Sequence, residues 1–351
     1  MTAKRLVLWF IGFCLVLNLA AIASWAAEKP KALTTEDYFV KAADPGIQIF
    51  VRNKHLKAIN NFSSAKIVLF VHGATYPADT AFDLQLDGFS WMDYIARKGF
   101  DVYLMDVRGY SKSTRPPEMS QPADKNPPLV NTDTAIRDVA VVVDNILVRR
   151  HVTRLNLIGW SWGTSIMAGY TTKNNDKVEK LVLYAPLWVG NVATISIPEN
   201  LPAYRTVSMA AAKNRWMSGV AEDKKKDLIP EGWFEKWAAA TQATDPEGAA
   251  MNPPILRAPN GVLYDIRNYW LAGKPYYDPA LIRVPTMLVN GEWDADTPLT
   301  MSQGLFEKLT NAPYKRRVII GEGTHTVIME RNRMQLFREV QLFLDEPRQT
   351  N

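Results

Sequence analysis

Cysteine is nearly absent from this 351-residue chain: Cys14 is the only one. A single thiol excludes an internal disulfide framework, a thiolate metal site and an iron–sulfur cluster. Histidine is also scarce, at four residues, and they do not cluster at ligand spacing, so no metal or other cofactor is expected. There is no internal repeat and no low-complexity tract. Charge of one sign is not in excess either. Net charge is +5, and the basic groups Arg149-Arg150 and Lys224-Lys225-Lys226 are short. They read as solvated helix ends and loops, so a nucleic-acid partner is not expected. The apolar share of 47% and the charged share of 22% argue against long disorder. The length suits one domain of α/β size carrying an insertion, or two modest domains.

The one long hydrophobic run is Leu6 to Ile22, broken by Asn18 and preceded by Lys4 and Arg5. Small residues follow, then Ser24-Trp25-Ala26-Ala27 and the charged Glu28-Lys29-Pro30. This reads as a secretory signal over residues 1–26, with Ser24 at −3 and Ala26 at −1 of the cut. The competing reading is a retained anchor, since the run is near the lower length for spanning a bilayer. Cleavage removes Cys14, Lys4 and Arg5 and leaves 39 basic against 36 acidic residues, a net charge of +3. The mature chain, 27–351, is then expected to be periplasmic or secreted, free of the membrane, with a small-molecule substrate as its partner.

Short, continuous apolar runs suit strands buried on both faces of a parallel sheet. They occur at 67–71, 102–105, 155–158, 181–184, 286–289 and 317–320. A hairpin is expected around Asp44-Pro45-Gly46. Helical spacing separates the runs: Trp91, Ile95 and Ala96; Ala135 to Leu147 behind a cap at Asn131 or Thr132; Gly304 to Leu309; and Leu336 to Leu344. The alternation indicates a doubly wound, mostly parallel α/β sheet. It breaks between about 187 and 280, where no clear buried strand is legible. Tryptophans 188, 216, 233, 237 and 270 stand there instead, and the segment reads as a mainly helical insertion. A proline-rich stretch, 115–131, reads equally as a stiff surface loop or as the rim of a site.

Chemistry concentrates at Gly159-Trp160-Ser161-Trp162-Gly163, a G-x-S-x-G pentapeptide between an apolar run and a helix-compatible segment. A serine hydroxyl needs a base, and that base needs a carboxylate to fix its tautomer. Of the histidines, His55 and His151 lie in polar surroundings and His72 follows the strand at 67–71. His325 follows the last strand and is the best base, because functional groups of α/β sheets gather at strand carboxyl ends. The acid belongs to Gly291-Glu292-Trp293-Asp294-Ala295-Asp296. Asp294 is preferred, Asp296 competes and Glu292 is a distant third. The turn His72-Gly73-Ala74 brings a second backbone donor. The Ala74 and Trp162 amides are the expected oxyanion hole. His72 is expected to support the turn.

Together these residues resemble the α/β-hydrolase superfamily. The resemblance runs through His72-Gly73, Asp106-Val107-Arg108-Gly109-Tyr110-Ser111-Lys112-Ser113, the elbow at 159–163, Gly291-x-x-Asp294 and His325. It implies Ser161 as nucleophile, Asp294 as acid, His325 as base, and a cap inserted where the alternation breaks. Family members often carry glycine where Ser111 stands. Serine at the elbow argues against the dehalogenases and epoxide hydrolases of the superfamily, which place aspartate there. The leading expectation is a serine hydrolase cleaving the carboxylic ester of a small or medium, partly apolar molecule. The alternatives are an amidase or aminopeptidase, with Glu222, Asp223, Glu231 or Glu235 binding a substrate amine; a lactone or carbon–carbon bond hydrolase; and a non-catalytic binding protein.

Overall fold

Period-two burial organises the molecule. In the strand at Ile67–Val71, residues Ile67, Leu69 and Val71 enter one core while Val68 and Phe70 enter another. A strand apolar at every position therefore feeds both faces of one sheet. The computed structural model describes residues 32–190 and 197–348. The expected signal segment, with Cys14, Ser24 and Ala26, lies outside the described residues.

Eight strands form the main sheet: β1 (Leu33–Lys41), β2 (Gln48–Leu56), β3 (Ile67–Val71), β4 (Asp101–Met105), β5 (Leu155–Trp160), β6 (Val178–Tyr184), β9 (Thr286–Gly291) and β10 (Lys315–Ile320). Their spatial order is β1-β2-β4-β3-β5-β6-β9-β10. β1 pairs antiparallel with β2, and β2 with β4; every other pairing is parallel. The expected hairpin is β1–β2. Helices cover both faces. Val139, Val143 and Ile146 of α2 (Thr132–Arg150) and Ile166 of α3 (Trp162–Lys173) pack on one core. Trp91 and Ile95 of α1 (Trp91–Arg97) and Leu336 and Val340 of α7 (Arg333–Asp345) pack on the other. Asn131 caps α2, its side chain accepting from Thr134 N at 3.0 Å.

The stretch between β6 and β9, expected to be mainly helical with no clear buried strand, does hold one. Its helices α4 (Met209–Trp216) and α5 (Trp233–Gln242) accompany two short strands, β7 (Tyr204–Val207) and β8 (Leu256–Pro259). These pair antiparallel as a separate two-stranded sheet, and every residue of β8 is buried. Pairing with a partner about 50 residues away leaves no local period in so short a segment, which is why β8 escapes a sequence reading. Helix α6 (Leu299–Lys308) links β9 to β10. Among the described residues no helix is long and apolar enough to cross a membrane.

The loop after β4 is built for rigidity. Arg108 Nε lies 3.0 Å from both carboxylate oxygens of Asp138 on α2. Ser113 Oγ donates to Asp106 O at 2.6 Å and accepts from Phe50 N at 2.8 Å. Ser111 adopts φ +43°, a left-handed conformation that explains the family's use of glycine there.

Candidate active site

Ser161 stands between the end of β5 and the first turn of α3, at φ +57° and ψ −120°. This is a strained conformation for a residue with a side chain. Its neighbours explain how it is held. A Cβ on Gly159 would come 2.3 Å from Gly163 O, and one on Gly163 would come 2.5 Å from Val71 O and 2.7 Å from His72 O. Both glycines are required because backbone crosses backbone there. Ser161 N donates to Tyr184 O on β6 at 2.9 Å, which pins the turn to the sheet.

His325 lies in the loop after β10. Its Nδ1 is 3.0 Å from each carboxylate oxygen of Asp294, in the loop after β9. The same carboxylate accepts from Thr297 N at 2.7 Å, Asp296 N at 3.0 Å and Thr297 Oγ1 at 2.7 Å. Four donors therefore orient the acid. The His325 carbonyl accepts from Trp160 Nε1 at 3.0 Å and from Tyr184 OH at 2.8 Å. Burial lowers the His325 pKa, but the Asp294 and Asp296 carboxylates more than reverse this, so it sits above its ordinary 6.5.

Ser161, His325, Gly73 and Ala74 line one pocket, together with Tyr76, Trp160, Arg215, Trp216 and Asp296. Ser161 and His325 share this pocket without a hydrogen bond between Ser161 Oγ and the imidazole among the described residues. Contact distances in a substrate-free site are often looser than in a reacting complex. Asp296 is placed differently from Asp294. It lies 3.9 Å from His325 Nε2 and pairs with Arg215 of α4, at 2.8 Å to Nε and 2.7 Å to Nη2. Glu292 is far from this chemistry in role, accepting from Glu322 N at 2.9 Å.

His72 is buried, and burial pushes its pKa down to about 4. The neutral ring spans two backbone groups: Nδ1 donates to Gly73 O at 2.7 Å and Nε2 accepts from Val107 N at 3.0 Å. The first bond fixes the peptide that carries the Ala74 N–H. The following carbonyl, Ala74 O, accepts from Tyr110 OH and from Arg205 Nη2, each at 2.6 Å. Trp162 begins α3, where the first amides have no intrahelical acceptor, and its indole donates to Thr132 Oγ1 at 2.8 Å. Neither the Ala74 nor the Trp162 amide has an acceptor among the described residues. His55, with Nδ1 2.9 Å from Leu56 O, and exposed His151 stand outside the pocket.

No residue of the proline-rich stretch 115–131 lines the pocket, and neither does Glu222, Asp223, Glu231 or Glu235. Met119 of that stretch is buried against Ala203 and Tyr204 instead. Sequence reasoning missed Tyr76, Arg215 and the partner roles of Tyr184, Thr297 and Glu330. Only Thr297 and Glu330 lie near enough to Asp294 and His325 in sequence to have carried a signal. Among the described residues no cluster of histidine, cysteine and carboxylates is arranged for a metal ion.

The model for the alpha/beta hydrolase fold matches residues 66–332, most of the chain. The chain belongs to the alpha/beta hydrolase family. No curated protein matches it. Its fold is similar to that of an esterase from Thermogutta terrifontis, at 16% identity and TM-score 0.55 over 88% of this chain and 98% of that one. It is similar to a bromoperoxidase from Bacillus anthracis, at 18% identity and TM-score 0.58 over 88% and 99%. An esterase from Exiguobacterium antarcticum is 15% identical, with TM-score 0.54 over 89% and 100%. At such identities the likeness is one of fold, and the different activities in these names show how little the fold restricts substrate. Family membership supports hydrolysis as the class of reaction.

Proposed function

We propose that this hydrolase cleaves carboxylic esters of small or medium, partly apolar molecules through Ser161, His325 and Asp294. Ser161 Oγ attacks the ester carbonyl carbon while His325 Nε2 takes its proton. The Ala74 and Trp162 N–H groups hold the oxyanion of the tetrahedral intermediate. His325 returns the proton to the departing alcohol, leaving an acyl group on Ser161. Water, deprotonated by His325, then attacks that acyl group, and the acid leaves as Ser161 recovers its proton. The observation that carries the reading is the Asp294–His325 pairing at 3.0 Å, with His325 lining the pocket that also holds Ser161 at its strained turn. The aromatic pocket wall, Tyr76, Trp160 and Trp216, supports a partly apolar substrate.

The segment between β6 and β9 acts as the cap in this reading, since Arg215 and Trp216 bring it to the pocket. Export after removal of residues 1–26 completes the proposal, and the mass of the mature N-terminus tests it. A retained leader would make the protein membrane-anchored. For the chemistry, Ser161→Ala is expected to abolish nitrophenyl ester turnover and fluorophosphonate labelling while leaving the circular dichroism spectrum intact. Turnover retained in that variant overturns the assignment.

A further inference from the structure

The turn after β3 that carries the Ala74 N–H has no regular structure to hold it. Among the described residues, Gly73 to Tyr76 enter no backbone–backbone hydrogen bond. Side chains take that part instead. His72 Nδ1 donates to Gly73 O at 2.7 Å, and Tyr110 OH donates to Ala74 O at 2.6 Å. Arg205 Nη2 donates to Ala74 O at 2.6 Å and to Thr75 Oγ1 at 2.9 Å. The peptide planes on both sides of Ala74 are thereby fixed, and with them the direction of its N–H. The three donors differ in charge and origin. Burial holds the His72 pKa down at about 4 and lifts that of Tyr110 to about 12, so both donate as neutral groups. Arg205 alone brings a full charge, and charge-assisted bonds are about twice as strong as neutral ones. His72 and Tyr110 come from the loops after β3 and β4. Arg205 stands on β7, in the insertion.

Arg205 is itself aimed at the turn. Its Nη1 donates to Pro259 O at 2.7 Å and lies 3.2 Å from Asn260 Oδ1, at the end of β8. Asn260 Nδ2 is tied in turn to Pro202 O at 3.0 Å. One arm of the guanidinium is therefore spent inside the insertion and the other on the turn. Its acceptors are all neutral, and the ionisable groups acting on it are Tyr110, Tyr76 and a second cation, Arg215. Arg215 differs, being neutralised by Asp296. Anchoring alone would be served by a neutral amide, without drawing a charge out of water. A cation with no carboxylate partner keeps its field, and this field falls on the turn where a substrate oxygen becomes negative.

We propose that Arg205 is a positioning residue for the oxyanion hole: from the insertion it holds the Ala74 peptide in place for the transition state, and its charge adds to the field that the oxyanion meets. This rests on the serine hydrolase reading above. The oxyanion hole is then complete only while β7 is seated on the turn. The insertion assists the chemistry as well as walling the pocket.

The test is Arg205→Met, which keeps an apolar stem and removes the charge and the donors. With 4-nitrophenyl butyrate, kcat and kcat/KM are expected to fall together by at least about tenfold at a nearly unchanged KM, the pattern of an interaction made only in the transition state. A clamp that merely seats the insertion would act on substrate binding, so a raised KM with kcat unchanged overturns the proposal, as do unaltered kinetics. Arg205→Lys keeps the charge and should retain several times more kcat than Arg205→Met; equal losses overturn the part given to charge. If Arg205→Met does not fold, Arg205→Lys takes its place, with a loss of kcat at unchanged KM still expected. Deuterium uptake by the peptide covering 73–77 reads the turn without reference to turnover. It should quicken in the variant, and uptake equal to that of the unmodified protein overturns the hold of Arg205 on the turn. An unmodified protein that neither hydrolyses the ester nor reacts with a fluorophosphonate overturns the hydrolase reading instead, and the uptake measurement then judges Arg205 alone.

Discussion

Replacing Glu330 by glutamine tests how the loop carrying His325 is held. The Glu330 carboxylate accepts from Thr324 N at 3.0 Å, from Thr326 Oγ1 at 2.9 Å and from the Thr324 hydroxyl. Thr324 and Thr326 flank His325, so this buried acid clamps the base from both sides. Burial pushes the Glu330 pKa from its ordinary 4.5 up to about 7, against the opposing pull of those hydrogen bonds. Between these values the folded chain keeps a proton that the unfolded chain has lost. Stability therefore falls as pH rises from about 4.5 to about 7. The gap corresponds to about 3 kcal/mol. Glutamine cannot titrate and has the shape of the protonated acid. Urea unfolding of both chains at pH 5 and pH 8 reads the effect. Other groups titrate in this window, so the quantity of interest is the stability of the unmodified protein minus that of Glu330→Gln. It is expected to drop by about 3 kcal/mol from pH 5 to pH 8. A difference that is the same at both pH values refutes the reasoning.

Asp294→Asn should lower kcat for nitrophenyl esters by about 10³–10⁴-fold, because the amide favours the wrong imidazole tautomer; a loss below tenfold would contradict the role given to Asp294. Ester hydrolysis should fall on the acid side as His325 gains a proton, with its inflection above 6.5. Asp296→Asn removes a charge that raises this pKa and leaves Arg215, which lowers it, unpaired. The inflection of kcat/KM against pH should then move to lower pH, and an unmoved or raised inflection would refute the electrostatic account. Gly163→Ala should cost about 1–3 kcal/mol in urea unfolding, since the new methyl meets two backbone oxygens. It should also suppress fluorophosphonate labelling by displacing Ser161; unimpaired labelling would show that the turn tolerates the methyl.

Features legible in the sequence are those whose physical conflict is local. Gly159 is written into the chain because the elbow folds back on itself within five residues, and a Cβ there would meet the backbone of Gly163 and Thr164. The central strands of the main sheet, β3, β4, β5, β6 and β9, are legible because burial on both faces makes most of their positions apolar. Asp294 and Asp296 could not be separated in the same way. Both follow β9, and only the turn's own bonds to Asp294, from Thr297 and Asp296 N, direct that carboxylate to His325. Asp296 is then left to Arg215, 81 residues earlier in the chain. No pattern of spacing reveals such a pair, because its members meet only after α4 has docked. The same holds for Tyr76 and Trp216. Each reads alone as an ordinary core aromatic, and only the folded chain brings both to one wall of the pocket. On the serine hydrolase reading, the turn that presents Ser161 is encoded locally, whereas its pocket depends on contacts between the insertion and the sheet through Arg215 and Trp216, so substitutions that shift α4 should alter selectivity before they alter the chemistry at Ser161.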